Sequence, residues 1–164
     1  MYIKQQVEIA IEMLKDYKAS MANENGIMLM TAIGFQESRF LYRRQIGGGP
    51  ARGFWQFEKG GVEAVLKHSV GDIARDVMYN MSMFGTDADY IMQAIEYNDV
   101  LAAVFARLLL FTNKKIIPTF CEANKEALWK YYLETWRPGK PRPETWDKSI
   151  EIANLIWRNK EAKK

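Results

Sequence analysis

Apolar residues recur along this chain at helical intervals from one end to the other, and the interruptions mark its organisation. Ile3, Val7, Ala10, Ile11, Leu14, Tyr17 and Met21 follow one another mostly at spacings of three and four, with lysines and glutamates between them. That pattern predicts an amphipathic surface helix. Asn23 to Gly26 reads as a turn. From Ile27 to Phe35 every position except Thr31 and Gly34 is apolar, which predicts a helix over Ile27 to Glu37 buried on all its faces. Periodicity then vanishes from Phe40 to Gly61, where Gly47, Gly48, Gly49, Pro50, Gly53, Gly60 and Gly61 crowd together and predict a glycine-rich loop or short hairpin lobe. Helices are expected again at Val62 to Lys67, Ile73 to Met81 and Ala88 to Tyr97. An apolar helix follows over Val100 to Phe111, with Asn98 or Asp99 as its cap. After a break at Pro118, Leu128, Tyr131, Tyr132 and Trp136 form one helical face. Pro138 to Pro143 is a stiff turn, and Trp146, Ile150, Ala153 and Trp157 mark a last helix. The expected fold is mainly α, a single domain over 1–164.

Composition narrows the class. A chain of 164 residues that is 48% hydrophobic is one domain's worth and can bury a core without covalent staples. One cysteine, Cys121, permits no internal disulfide and reads as a structural thiol. Lys4, Glu8, Glu12 and Lys15 interrupt the first helix, so no secretory h-region is expected. Val100 to Phe111 is too short to span a bilayer and carries Arg107, so a soluble protein without membrane insertion is expected. The net charge of +3 is concentrated towards Arg158, Lys160, Lys163 and Lys164, and no helix carries the Lys/Arg stripe of a nucleic-acid binder. His68 has no second ligand at metal spacing, so neither a metal nor a cofactor is expected.

Candidate chemistry concentrates around Glu37. A carboxyl group at the end of a buried helix is desolvated and faces the negative end of the helix dipole, and both effects favour its protonated form. That is what a general acid needs at neutral pH. Glu58, beyond the glycine-rich segment, is the best candidate for a second carboxylate that activates water, ahead of Glu63 and Asp99. Ser38 can orient a carboxylate, Gln56 can pair with an acetamide, and Tyr97 and Asn98 can hold sugar oxygens. Arg52 and Arg43 can attract carboxylates. Trp55 either offers a flat face to a pyranose ring or packs the loop onto the core, whereas Phe54 and Phe57 read as packing residues.

Glu37-Ser38-Arg39-Phe40, a glycine-rich loop, and then Gly53-Phe54-Trp55-Gln56-Phe57 resemble the signature of the lysozyme-like superfamily, which contains lytic transglycosylases and goose-type lysozymes. Gln93-Ala94-Ile95-Glu96-Tyr97-Asn98 is similar to a cleft-lining segment of the transglycosylases. The longer string from Gln36 to Glu58, with Trp136-Arg137-Pro138-Gly139-Lys140-Pro141, resembles the muramidases (endolysins) of phages and prophages. The resemblance implies a lysozyme-like α-helical fold and a monomer that cleaves the β-1,4 bond between N-acetylmuramic acid and N-acetylglucosamine in bacterial peptidoglycan. It also implies a place in the host cytoplasm until release to the cell wall, or in the virion. The sequence departs from the transglycosylase pattern at Asp99-Val100, where Ala-Gly is usual, and at Phe54-Trp55, where Leu-Met is usual. Hydrolysis, transglycosylation to 1,6-anhydro ends, and a non-catalytic wall-binding or virion role therefore stay open. Trp146, Trp157 and the basic tail are further candidates for contact with the anionic envelope.

Overall fold

A computed structural model describes residues 2–158. Among them are eight α-helices and no strands: α1 Tyr2–Lys15, α2 Glu24–Ser38, α3 Lys59–Lys67, α4 Gly71–Asn80, α5 Ala88–Tyr97, α6 Asp99–Thr112, α7 Lys125–Trp136 and α8 Trp146–Arg158. The protein is mainly α-helical, as its periodicity predicts. No helix among the described residues is long and apolar enough to cross a membrane.

α6 is the hub. Every residue from Leu101 to Leu110 is buried, and α1, α2, α3, α4, α5 and α7 all pack on it. Asn98 caps it, its Oδ1 accepting from Leu101 N at 2.9 Å. α2 lies between α6 and α8 and is buried without a break from Met28 to Gly34, as its all-round apolar pattern requires. It begins three residues earlier than its apolar run because Asn23 caps it through Gly26 N at 3.2 Å.

The first helix is shorter than its stripe. α1 stops at Lys15, and Met21 reaches the core from a separate 3-10 turn, Ala19–Ala22. Buried Arg107 of α6 imposes that turn, donating to the carbonyls of Met21 and Ser20 at 2.9 and 2.8 Å. Tyr17, released from the stripe, is exposed.

The glycine-rich segment folds as a small lobe held by two isolated antiparallel bridges, Arg44 with Arg52 and Arg52 with Phe57. It turns inward at Gly53, whose φ of +71° suits a residue without a Cβ. A Cβ there would also lie 2.7 Å from Ile95.

Candidate active site

The last turn of α2 carries the site. At Gly34 a Cβ would sit 2.4 Å from the Phe40 ring and 3.0 Å from that of Trp55, so the missing side chain lets the lobe close against the helix end. The chain leaves α2 through Arg39 and Phe40, both at positive φ, and the Phe40 ring folds back edge-on against Phe35, Phe54 and Trp55. Ser38 locks this exit: its hydroxyl donates to Phe54 O at 2.7 Å and accepts from Phe40 N at 3.1 Å.

Glu37 opens into a cleft of about 1130 Å³, which Tyr42, Gln56, Glu58, Lys140 and Arg142 also line. Its Oε1 accepts a 2.5 Å hydrogen bond from the Tyr132 hydroxyl of α7. Tyr132 stacks on Trp146 at 5.4 Å between centroids, and Trp129 leans on both, which makes an apolar backing for the carboxyl. Burial pushes the Glu37 carboxyl up to about 7, and the negative charge of Glu58 acts in the same direction. The Tyr132 hydroxyl and the Arg142 charge oppose it without cancelling it. The Tyr132 phenol is driven far above its ordinary range, by burial first and then by the Glu37 charge, so it remains a donor.

Arg142 is held beside Glu37 by a reciprocal clamp. Its Nη2 donates to Gln36 O at 2.7 Å, and Gln36 Nε2 donates to Arg142 O at 2.8 Å. The Gln36 amide oxygen accepts from Thr145 Oγ1 at 3.0 Å and Ser149 Oγ at 2.8 Å. Gln36 is buried, so pairing both its amide oxygen and its amide nitrogen ties the proline-rich strap between α7 and α8 to the end of α2.

Glu37, Glu58 and Gln56 of the sequence candidates meet in the cleft. Gln56, at φ +47°, uses its amide nitrogen on Gly53 O at 2.8 Å and Tyr42 O at 3.3 Å. The other candidates are elsewhere. Trp55 is 0% exposed, its indole N–H donating to Met30 O at 2.6 Å, so it packs the core and offers no face to a sugar. Ser38 hydrogen-bonds backbone atoms rather than orienting a carboxylate. Arg52 pairs with Glu96 at 3.1 Å and with the lobe carbonyls Gly49 O and Ala51 O. Tyr97 is 74% exposed and outside the cleft lining, and Asn98 is committed to its cap.

Asp99 is buried and bound by both Arg43 and the Tyr2 hydroxyl, and Glu63 is paired with Lys67. Neither is placed to activate water in the cleft. Trp146 is buried, and the Trp157 indole donates to Thr31 Oγ1 at 2.9 Å, so both pack inward rather than towards an envelope. Lys160, Lys163 and Lys164 lie outside the described residues. No group of three or more metal-binding side chains is found among the described residues.

Sequence reading missed Tyr132 and Arg142 as site residues. A signal for Tyr132 exists: a buried phenol needs an acceptor, and a buried carboxyl without a nearby donor in sequence can supply one. Arg142 carries no comparable local sign. No match to this chain is found among protein-family models, curated proteins or solved structures.

Proposed function

We propose that this protein is a glycoside hydrolase that cuts the β-1,4 linkage between N-acetylmuramic acid and N-acetylglucosamine in peptidoglycan, with Glu37 as general acid. The observation that carries the reading is a carboxyl whose proton affinity is raised to about 7 by burial, in an open cleft large enough for several sugar units. A glycosidic oxygen is a poor leaving group until it is protonated, and the donor has to be neutral at working pH yet ready to become an anion. Desolvation keeps Glu37 protonated in the resting site. As the proton leaves, the Tyr132 hydroxyl and the Arg142 guanidinium receive the charge that develops on the carboxylate.

Glu58 stands at the head of α3 in the same lining. In this mechanism it activates a water molecule on the other face of the sugar and offsets the positive charge of the oxocarbenium-like transition state. Gln56 keeps its amide oxygen for a substrate N–H, as an N-acetyl group would provide. The ordered resemblance of residues 36–58 to phage-type muramidases supports this assignment, and with it the bacterial wall as the proposed site of action.

Mass spectrometry of fragments released from purified peptidoglycan, with wild type and Glu37→Gln side by side, tests the reading. Reducing N-acetylmuramic acid ends from wild type alone are expected. Anhydro ends would replace hydrolysis by transglycosylation, and no release from either protein would refute catalysis.

A further inference from the structure

Charge is segregated within the cleft lining. The outer part of the lobe contributes Tyr42, Gln45 and Ile46, none of them charged, with Tyr42 47% and Ile46 74% exposed, and the lobe's one charge in the lining is Glu58 at the head of α3. The α6–α7 corner and the strap contribute Lys114, Lys115, Arg137 and Lys140, all exposed. Lys115 is neutralised by Glu134 at 2.7 Å. Lys114, Arg137 and Lys140 have no carboxylate partner among the described residues. The two arginines that sequence reading assigned to anion recognition have such partners: Arg43 is bound to Asp99, and Arg52 to Glu96, which also holds Arg44.

Resting on the glycan-cleaving reading above, we propose that Lys114, Arg137 and Lys140 recognise the free carboxylates carried by the peptide-bearing sugars of the substrate. The strand then lies with its ring faces against Tyr42 and Ile46 and its carboxylated arms over the basic stretch. Pyranose rings present apolar C–H faces, which match the uncharged part of the lining. Side arms that end in carboxylates match a guanidinium fork and two long, mobile ammonium groups. The volume of the cleft exceeds that of ordinary small-molecule sites, as a polymer requires. A nucleic acid fits less well, because the carboxylate of Glu58 shares the lining and would meet its phosphates.

The test measures binding by the inactive Glu37→Gln protein, so that turnover does not consume the probe. Fluorescently labelled soluble glycan strands with free stem carboxylates are compared with the same strands capped as methylamides, and with single-stranded DNA of similar length. Capping is expected to weaken binding about tenfold at low salt, equivalent to two exposed charge pairs, and the difference should shrink as salt screens it. Adding Lys114→Ala and Lys140→Ala should reduce that ratio below about twofold. Adding Lys148→Ala, whose side chain pairs with Glu151 outside the cleft, should leave it intact.

Equal binding of free and capped strands, or a ratio unchanged in the double variant, would overturn the inference while leaving the glycosidase reading in place. DNA that displaces the strands at comparable concentration would overturn it in favour of a general polyanion site. Failure of any glycan to bind, together with no fragment release by wild type, would overturn both.

Discussion

The raised proton affinity of Glu37 makes a prediction about stability that is independent of substrate. In the unfolded chain its carboxyl titrates near 4.5, and in the folded protein near 7. Between those values the folded state binds the extra proton, so stability falls as pH rises through the window and reaches its floor above pH 7. The fall is about 1.4 kcal/mol per unit, or about 3 kcal/mol across the roughly 2.5-unit window at most, because a carboxylate is then held where burial disfavours it. Glu37→Gln removes that titration and keeps the shape, and its amide oxygen can still accept from the Tyr132 hydroxyl.

The variant should match wild type within about 1 kcal/mol at pH 4 and exceed it by up to about 3 kcal/mol at pH 8. For a chain of this size that corresponds to a rise in Tm of roughly 6–12 °C at the higher pH. Urea unfolding followed by tryptophan fluorescence at both pH values measures it, and an unchanged m-value confirms that the two proteins unfold alike. Other titrating groups cancel in the difference between the proteins. A stability difference that is the same at pH 4 and pH 8, or a variant less stable at pH 8, would refute the argument that burial controls this carboxyl.

Tyr132→Phe removes the donor that stabilises the Glu37 anion, so the alkaline limb of the pH–kcat/KM profile should move upward by about 1 unit from its wild-type position near 7. Trp55→Phe should lower stability by about 1–3 kcal/mol in urea melts, through lost contacts and the lost indole hydrogen bond to Met30 O, with no change in KM for glycan strands. Gly34→Ala drives a methyl group into the Phe40 ring and should destabilise by about 1–3 kcal/mol or more, read by the same melts. Gln36→Leu breaks the strap clamp and should cut kcat more than it raises KM, whereas Gln36→Glu, which keeps an acceptor for Thr145 and Ser149, should recover part of the loss.

The helices were legible because burial and periodicity act within a few residues of one another. The all-round apolar run after Asn23 could only be a buried helix, and Asn98 before an apolar segment could cap it whatever lay elsewhere. The 3-10 turn after Lys15 was not legible, because Arg107, the residue that draws its carbonyls inward, is 86 positions from Met21. The site divides along the same line. Glu37 was visible from its own helix, but its partners Tyr132 and Arg142 come from α7 and the strap, 95 and 105 positions away. Trp55 misled for a related reason: an aromatic in a glycine-rich segment suggests an exposed platform, and only the inward turn at Gly53 and its fit beside Gly34 send it to the core.

These long-range contacts also explain how the fold tolerates a carboxyl that destabilises it above pH 7. A charge held at the end of a buried helix could be relieved by a small outward shift of the helix terminus that lets water reach it. Ser38 opposes that shift by fixing the helix exit to the lobe through Phe54 O. Gln36 opposes it through four hydrogen bonds to the strap and α8, and the Trp129–Tyr132–Trp146 cluster resists it from behind. The residues on either side of Glu37 are therefore its restraints, committed to holding the backbone, while Glu37 alone faces the cleft. Loosening either restraint should lower the Glu37 pKa as water enters. Loss of the Gln36 clamp should therefore appear as a downward shift of the alkaline limb as well as a lower rate, and a lower rate with an upward shift would show that the clamp acts by positioning Arg142, whose charge lowers the Glu37 pKa, rather than by keeping water from the acid.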